Sequence, residues 1–228
     1  MEAVRLAVIS DVHANMEALS VVLERIDEMG VDLTVHAGDV VGYYPFPDQT
    51  IQLFRKRGIA TIQGEHDRCV VRFNTVGLNR MAAVAARWTS ENIRAEHVDF
   101  LKGLKGRMFL EADGERIGMF HGTPRDSDEY LYEVDAGAEL LEMCGCSIMI
   151  SGRTHIPFVK RFPDGMVLNP GSVGQPRDGD GRAAFAILDP GKGDCSLHRV
   201  GYDRGAVEEA VLAAGLPPFL GERLRYGF

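Results

Sequence analysis

Short apolar runs that end in polar residues alternate with helical patterns in the first half of the chain. Three such runs have the β-branched and apolar residues of buried strands, at 4–9, 32–37 and 59–63. A helix is predicted from Asn15, a good cap residue, to Met29, and another from Pro47 to the residue before Gly58. This β-α-β-α-β order predicts a parallel sheet with right-handed crossovers.

The pattern changes in the second half of the chain. Helices are predicted at about 78–95 and 97–104, and two turn signals follow, Asp113-Gly114 and Pro163-Asp164-Gly165. Both turns lie between short apolar segments, so we expect hairpins and antiparallel or mixed strand pairing there. The sequence therefore predicts an α/β fold in which two packed mixed sheets are flanked by helices.

The length of 228 residues suits one domain, which we expect to span residues 1–228. Residues 203–228 are predicted to be a C-terminal helical appendage, with helices at 206–212 and 217–224 that could cover a sheet edge. The first apolar run is interrupted by Arg5 and is too short for a signal peptide or a membrane span. We therefore expect a cytoplasmic protein without a membrane partner.

The formal net charge of −8 and the pI near 5.4 argue against generic nucleic-acid binding, which usually requires a basic face. A phosphorylated substrate would instead need local positive charge from a metal ion or from arginine. The four cysteines have no pattern of a disulfide framework or of a complete metal site. Acidic surface and terminal helices permit a homo-oligomer without requiring one.

Polar clusters follow five apolar runs, and each contains a residue able to bind metal or transfer a proton. They are Asp11-Val12-His13, Gly38-Asp39, Gly64-Glu65-His66-Asp67, His121-Gly122 and Gly152-Arg153-Thr154-His155. Side chains at the carboxyl ends of strands converge on one edge of an open α/β sheet, where ligands bind. We expect the candidate active site at that edge.

The types of residue in these clusters suit a transition-metal site. Asp11 and His13 are two positions apart, so both side chains can point to one side and bind one ion, which His155 would complete. Oxygen and nitrogen ligands together favour Mn, Fe, Co, Ni or Zn. The carboxylate of Asp39 could bridge two ions, and His66 beside Asp67 has the arrangement of a proton donor with an orienting carboxylate.

The ordered set Asp-x-His, Gly-Asp, Gly-x-His-Asp, His-Gly-Thr-Pro and Gly-x-Thr-His resembles the calcineurin-like metallophosphoesterase family. The stretch Asn169-Pro-Gly-Ser-Val-Gly-Gln-Pro-Arg177 is similar to the small bacterial and archaeal phosphodiesterase branch of that family. The resemblance, over residues 4–190, implies an αββα sandwich. It also implies hydrolysis of a small phosphorylated substrate, such as a nucleotide, by metal-activated hydroxide, with a phosphodiester favoured over a phosphomonoester.

The resemblance also implies roles for individual residues. Asp11, His13 and His155 would bind the first ion, and Asp39 would bridge to a second. His121 would bind the second ion together with the residues at positions 65 and 153. His66 would donate a proton to the leaving group, with Asp67 as its partner.

The chain departs from the family pattern at two positions. The pattern has asparagine at position 65 and histidine at position 153, whereas this chain has Glu65 and Arg153. Glutamate can bind a metal ion, but a guanidinium has no lone pair to offer. We therefore expect one bound ion, a weakened or absent second ion, and a two-point ion pair between Glu65 and Arg153. In that arrangement Arg153 would take part in catalysis by binding a substrate phosphate.

Two further residues are candidates for substrate binding, and each has a structural alternative. Tyr43 could line the pocket and stack on a nucleobase or aryl group, or it could pack within a proline-stiffened loop. Arg177 could bind a phosphate oxygen or lie at the surface. The acidic segment 125–133 is predicted to be a solvated loop or a lid over the site.

A second class of function remains open on the sequence. Glu65 and Arg153 are also compatible with a weak or inactive member that binds a nucleotide or a protein, as a retromer subunit of similar fold does. Retention of His66, Asp67 and the residues of the first ion favours chemistry, because a binding module has no evident need for all of them.

Overall fold

The computed structural model describes residues 4–228. Within them, the strands are β1 (Leu6–Ile9), β2 (Leu33–His36), β3 (Ala60–Thr61), β4 (Arg107–Ala112), β5 (Glu115–Phe120), β6 (Ile148–Ile150), β7 (Phe158–Phe162), β8 (Gly165–Asn169), β9 (Ala183–Asp189) and β10 (Asp194–Val200). The helices are α1 (Met16–Met29), α2 (Pro47–Arg57), α3 (Glu65–Arg72), α4 (Arg80–Asn92), α5 (Ala95–Gly103), α6 (Glu139–Cys144), α7 (Arg204–Ala213) and α8 (Phe219–Glu222).

The strands form two five-stranded mixed sheets. The first has the order β10-β9-β1-β2-β3, in which β1, β2 and β3 are parallel and β9 is antiparallel to β1 and β10. The second has the order β4-β5-β6-β8-β7, with β5, β6 and β8 parallel and an antiparallel strand at each edge. The predicted two-sheet fold is confirmed, and both predicted hairpin turns connect paired strands, β4 with β5 and β7 with β8.

Successive side chains of β1 point to opposite faces of the first sheet and pack in two different layers. Leu6 and Val8 point between the sheets, where they pack with residues of β5, β6 and β8, whereas Ala7 and Ile9 point outward and pack with α1 and α2. The outer face of the second sheet is covered by α6. Each sheet therefore buries both faces, and the side chains that lead into the candidate site come from strands fixed on two sides.

The residues predicted to cap the first two helices do so in the structure. The side chain of Asn15 accepts a hydrogen bond of 3.1 Å from the Ala18 N–H at the start of α1. Gly30 and Gly58 follow α1 and α2 in the left-handed conformation. The third predicted strand is shorter than expected, and it is followed by α3 from Glu65, a helix that the sequence did not indicate.

The C-terminal helices pack on the rest of the chain. The apolar side of α7 and α8 forms one cluster with α4 and Tyr44. Tyr44 Oη donates a hydrogen bond of 3.2 Å to the Leu220 carbonyl, and Trp88 Nε1 donates one of 3.0 Å to the Ala214 carbonyl. The division into one domain and an appendage at 203–228 remains a prediction.

A search of residues 4–228 finds no helix that combines the length and the apolar character needed to cross a lipid bilayer.

Ile150 tests the contribution of the layer between the sheets. Its side chain is fully buried there, so Ile150→Ala should leave a cavity and lower the free energy of unfolding by about 3 kcal/mol. Urea denaturation followed by circular dichroism measures this change. Val76→Ala is the control, because Val76 is 88% exposed and should change stability by less than about 0.5 kcal/mol. Equal losses in both variants would contradict the assigned packing.

Candidate active site

The predicted site residues gather where strands of both sheets end. Asp11 and His13 follow β1, Asp39 follows β2, Glu65 and His66 begin α3 after β3, His121 follows β5, and Arg153 and His155 follow β6. Their side chains are buried, except that of Glu65, which is partly exposed. The two sheets therefore share one polar site at the edge predicted from the sequence.

An unusual backbone conformation aims these side chains into the site. Positive φ angles between 51° and 67° occur at Asp11, His13, Asp39, Arg153 and His155. Such angles cost roughly 1 to 3 kcal/mol each in residues with a Cβ, so the surrounding structure must impose them. Hydrogen bonds between the loops do so, including one of 3.0 Å from the Asp11 N–H to the Gly38 carbonyl and one of 3.0 Å from the His13 N–H to the Asp39 carbonyl.

Asp11, His13 and His155 form a first cluster of possible metal ligands. His155 Nε2 lies 3.3 Å from Asp11 Oδ1 and 3.2 Å from His13 Nε2, and His13 Nε2 lies 3.9 Å from Asp11 Oδ1. His155 Nδ1 donates a hydrogen bond of 2.6 Å to the Gln175 carbonyl. A neutral His155 therefore presents the lone pair of Nε2 to the carboxylate of Asp11.

Asp39 and His121 face each other in a similar way. Asp39 Oδ2 lies 3.4 Å from His121 Nε2 and 3.7 Å from His13 Nε2. His121 Nδ1 donates a hydrogen bond of 2.9 Å to the Ala37 carbonyl, and Asp39 Oδ1 accepts one of 2.7 Å from the His66 N–H. One oxygen of Asp39 is thus left between the two histidines, the position expected of a bridging carboxylate.

The histidines of the site differ in their protonation states. Burial lowers the pKa of His13 well below its usual range and also lowers the pKa of His155, so both rings are neutral, as metal binding requires. Burial also opposes a charge on His121, but the neighbouring Asp39 outweighs it and raises the pKa of His121 to about 9. The carboxylate of Asp39 therefore favours a positive charge at the position of His121.

The residues of the first cluster fit a divalent transition metal. Asp11 Oδ1 is buried and has no hydrogen-bond partner among residues 4–228. A buried polar atom without a partner costs roughly 1 to 3 kcal/mol, and a cation bound at this oxygen would remove that cost. The mixture of carboxylate oxygen and imidazole nitrogen is the donor set that such metals prefer.

Glu65 and Arg153 form the ion pair that the sequence predicts. Arg153 Nη1 donates a hydrogen bond of 2.7 Å to Glu65 Oε2, and Nη2 donates one of 3.4 Å to Glu65 Oε1. The guanidinium also lies 4.4 Å from the centre of the Tyr130 ring. Because both oxygens of Glu65 are directed to Arg153, Glu65 is outside the three clusters of ligand atoms, and its expected contact with a metal ion is not supported.

The expected partnership between Asp67 and His66 is wrong. The carboxylate of Asp67 accepts hydrogen bonds from the backbone N–H groups of Gly64, Asp39, Val40 and Val41, at 2.9 to 3.3 Å. Asp67 is the third residue of α3, and its side chain turns back to the unpaired N–H groups at the start of that helix. It therefore connects α3 to the loop that carries Asp39.

His66 lies at the cavity, on the side of the cluster that faces solvent. Among residues 4–228 its Nδ1 has no hydrogen-bond partner, and burial lowers its pKa. Gly42 passes close behind the ring, where an added Cβ would lie 2.5 Å from His66 Nδ1 and 2.9 Å from His13 Nδ1. Gly42 has a φ of 144°, so both the space and the backbone exclude a larger residue there.

Tyr43 and Arg177 are close together beside His66. The Tyr43 ring is 2% exposed, and its centre lies 4.6 Å from the ring centres of both His13 and His66. Arg177 Nη2 donates hydrogen bonds of 3.2 Å to Tyr43 Oη and 2.9 Å to Gln175 Oε1. Because the Tyr43 ring is enclosed, its geometry favours the structural alternative, packing within the loop, over stacking on a nucleobase or aryl group.

These groups surround a cavity of about 120 Å³. Its walls are formed by Asp39, Tyr43, Glu65, His66, Gly77, Leu78, Asn79, Ala82, Tyr130, Arg153, His155 and Arg177. Both arginines of this set, Arg153 and Arg177, line the cavity together with Asp39 and His66, so the cavity can hold an anion beside the metal cluster.

Supporting residues in the stretch 169–175 were not identified as such from the sequence. Ser172 Oγ donates a hydrogen bond of 2.8 Å to the Asp11 carbonyl, Asn169 Nδ2 donates one of 2.7 Å to the Gly152 carbonyl, and Gln175 accepts the bond from His155. The run Asn-Pro-Gly-Ser-Val-Gly-Gln, with a turn signal directly after β8, is the pattern that could have indicated this role.

The segment 125–133 lies beside the site. Its acidic residues Asp128 and Glu129 form ion pairs with Arg68 and Arg125, and Tyr130 contacts Arg153 as described above. The segment is therefore tied to α3 and to the loop after β6, although much of it is exposed to solvent, as predicted.

Residues 4–193 match the model of the calcineurin-like phosphoesterase superfamily domain. The chain belongs to this superfamily. Phosphoester hydrolysis and divalent metal binding are general properties of its members, and the clusters around Asp11 and Asp39 supply candidate ligands.

Individual relatives agree with this assignment. A probable metallophosphoesterase of Methanothermobacter thermautotrophicus is 29% identical over 86% of this chain and 92% of its own length. An uncharacterized protein of Methanocaldococcus jannaschii is 32% identical over 97% of this chain and 98% of its own length. The crystal structure of a metallophosphoesterase from Sphaerobacter thermophilus covers both chains completely, with 33% identity and a TM-score of 0.86.

Replacement of Asp67 tests its structural role. Asp67→Ala would leave four buried N–H groups without their acceptor, so we expect the free energy of unfolding to fall by at least about 3 kcal/mol. His66→Ala should lower it by less than about 1 kcal/mol, because the His66 ring makes no such bonds. Thermal unfolding of both variants measures the difference. A stability of Asp67→Ala equal to that of the unmodified protein would show that these bonds contribute nothing.

Proposed function

We propose that this protein hydrolyses a phosphodiester with one divalent transition-metal ion bound by Asp11, His13 and His155. The supporting observation is the approach of His155 Nε2 to Asp11 Oδ1, at 3.3 Å. The hydrogen bond from His155 Nδ1 to Gln175 makes both approaching atoms acceptors, and two acceptors at this distance repel each other unless a cation lies between them. When bound, such an ion would lower the pKa of a water molecule and polarise a phosphoryl oxygen.

Glu65 and Arg153 occupy the place of the family's second ion in this proposal. In the family pattern, asparagine and histidine are neutral and the divalent ion adds two positive charges. The charges of Glu65 and Arg153, in contrast, cancel. A guanidinium held on two sides by Glu65 and Tyr130 can still donate hydrogen bonds from a fixed position. Among residues 4–228, Arg153 Nε has no partner and is left as a donor.

This charge difference favours a diester over a monoester. A phosphomonoester carries nearly two negative charges at neutral pH, because its second pKa is about 6, whereas a diester carries one. A site that lacks the two charges of a second ion attracts the dianion less. A phosphodiester with one organic leaving group therefore matches the charge of this site better.

Arg177 would bind the phosphate. Its hydrogen-bond acceptors, Tyr43 Oη and Gln175 Oε1, are neutral, and no carboxylate of residues 4–228 lies within the 4.0 Å of an ion pair. Its charge is thus not neutralised by the protein, unlike that of Arg153. An anion in the cavity would neutralise it, and Tyr43 and Gln175 would keep the guanidinium in place.

His66 would protonate the leaving group. Its ring borders the cavity next to Tyr43, and burial alone would keep the ring neutral. A phosphate anion in the cavity would oppose that effect and favour the protonated ring. Transfer of this proton to the departing oxygen leaves a neutral alcohol, which dissociates more easily than an alkoxide. The cytoplasmic location and the homo-oligomer remain predictions.

His66 provides a direct test of hydrolysis. With added Mn²⁺, the protein should hydrolyse both bis(p-nitrophenyl) phosphate and a dinucleoside monophosphate. His66→Ala should lower kcat for the dinucleoside monophosphate by roughly a hundredfold or more, because its leaving alkoxide needs a proton, whereas p-nitrophenolate does not. Absorbance of p-nitrophenolate measures the first rate, and chromatography of the released nucleoside measures the second. His198→Ala is the control, since His198 lies on β10 away from the site, and it should keep full activity. Equal rates of dinucleoside monophosphate hydrolysis by His66→Ala and the unmodified protein would exclude His66 as the proton donor. An absence of hydrolysis by either protein would favour a module that binds a nucleotide or a protein.

The number of bound ions tests the role of Arg153. The unmodified protein, dialysed against Mn²⁺ and then against metal-free buffer, should retain about one ion per chain, because a divalent ion next to the guanidinium is repelled. The double variant Glu65→Asn, Arg153→His should retain about two, since it restores the family's ligands. Elemental analysis by mass spectrometry measures the ratio. Two ions in the unmodified protein would show that Arg153 does not replace the second ion.

A further inference from the structure

The wall of the cavity divides into two parts of different chemistry. One part carries the charged groups and the metal cluster. The other has no formal charge and is formed by Gly77, Leu78, Asn79, Ala82 and Tyr130. We infer that this second part, here named the neutral wall, binds the organic substituent of the substrate, a flat neutral group such as an aryl ring or a nucleobase. This inference rests on the proposed function, because the phosphate must lie at Arg177 and the cluster.

The organic substituent needs a surface other than Tyr43. The Tyr43 ring is enclosed by His13 and His66 and offers no face to a ligand. Ala82 belongs to the same packed cluster as Tyr43, so the neutral wall begins directly beside the ring that touches His66. A group bonded to the phosphate would therefore reach Leu78 and Ala82 as it leaves the charged part of the cavity.

Tyr130 forms the other side of the neutral wall. It is 48% exposed, although its ring lies 4.4 Å from the guanidinium of Arg153 and is stacked with Tyr132, with ring centres 6.4 Å apart. These two contacts hold the ring in position before a ligand binds, so less conformational entropy is lost on binding. An exposed aromatic side chain held in this way is a favourable contact surface for a planar ring.

Asn79 gives the neutral wall one polar group, which can act as a hydrogen-bond donor. Its Oδ1 accepts hydrogen bonds of 3.0 Å from the N–H groups of both Met81 and Ala82, as the cap of α4. The oxygen of the side chain is therefore used by the helix, and the amide NH₂ is the group left for a ligand. The neutral wall thus offers an aromatic ring, the partly buried side chain of Leu78 and one donor, which matches a ring that carries a hydrogen-bond acceptor.

The lack of charge on this wall argues against a second phosphate there. The lining residues Arg153 and Arg177 both belong to the charged part, beside Glu65 and Gln175 respectively. A pyrophosphate or bisphosphate would place its second anion next to Leu78 and Ala82, where the lining provides no cation. The substituent that this wall accepts is therefore neutral.

Binding of two phosphonates that resist hydrolysis tests the inference without requiring activity. Phenylphosphonate and methylphosphonate carry the same anionic group and differ in the ring. We expect the Mn²⁺-loaded protein to bind phenylphosphonate roughly tenfold more tightly, measured by calorimetry, because the ring buries apolar surface on the neutral wall. Leu78→Asn should lower this preference at least about threefold, with methylphosphonate binding unchanged, and Tyr130→Ser should lower the preference by a similar factor.

Two controls keep the outcomes distinct. Val84→Asn places a similar change on the exposed side of α4, outside the cavity, and should leave both affinities unchanged. Arg177→Gln should weaken both phosphonates by a similar factor. Equal affinity for the two phosphonates, or an unchanged preference in both Leu78→Asn and Tyr130→Ser, would overturn the inference. Failure of the proposed hydrolysis would instead appear as tight, ring-dependent binding by a protein that does not hydrolyse bis(p-nitrophenyl) phosphate.

Discussion

Two buried acceptor atoms face each other in this protein, and the organisation of the site follows from that arrangement. His155 Nε2 and Asp11 Oδ1 are 3.3 Å apart, and the proton of His155 is held on the other nitrogen by Gln175. Such an approach is unfavourable by itself, so the rest of the fold must hold the two side chains together until a cation compensates for it. The sheets, the loops between them and the stretch 169–175 all contribute to that restraint.

Holding these side chains together requires unfavourable backbone conformations. The residues that impose them are distributed along the chain. Five of the candidate residues have left-handed backbone angles, and Asp67 binds the start of α3 to the loop that carries Asp39. Strained residues of this kind persist only where surrounding packing and hydrogen bonds over-determine them. The buried layer between the sheets supplies this rigidity, since both strands that lead into the first cluster, β1 and β6, contribute to it.

The sequence predicted the parts of this structure that depend on short-range patterns. The parallel β-α-β-α-β start, the two hairpins and the convergence of five polar clusters follow from periodicity, caps and turn residues. The ion pair between Glu65 and Arg153 was also predicted, because the two departures introduce opposite charges. Helix α3 was missed, since only eight residues form it and its cap is a glycine. The expected partnership of Asp67 with His66 was wrong, because adjacency in sequence suggested it, whereas Asp67 binds backbone groups that the fold brings close.

The ion pair between Glu65 and Arg153 restricts the order in which such a site can evolve. Replacement of the glutamate first would leave a buried guanidinium beside the metal cluster. This intermediate would be unstable, because the buried positive charge would have no counter-ion. Loss of the arginine first would free a carboxylate that can itself bind a metal ion. A change between this pair and the asparagine and histidine of the family pattern is therefore less unfavourable when the intermediate keeps glutamate at position 65.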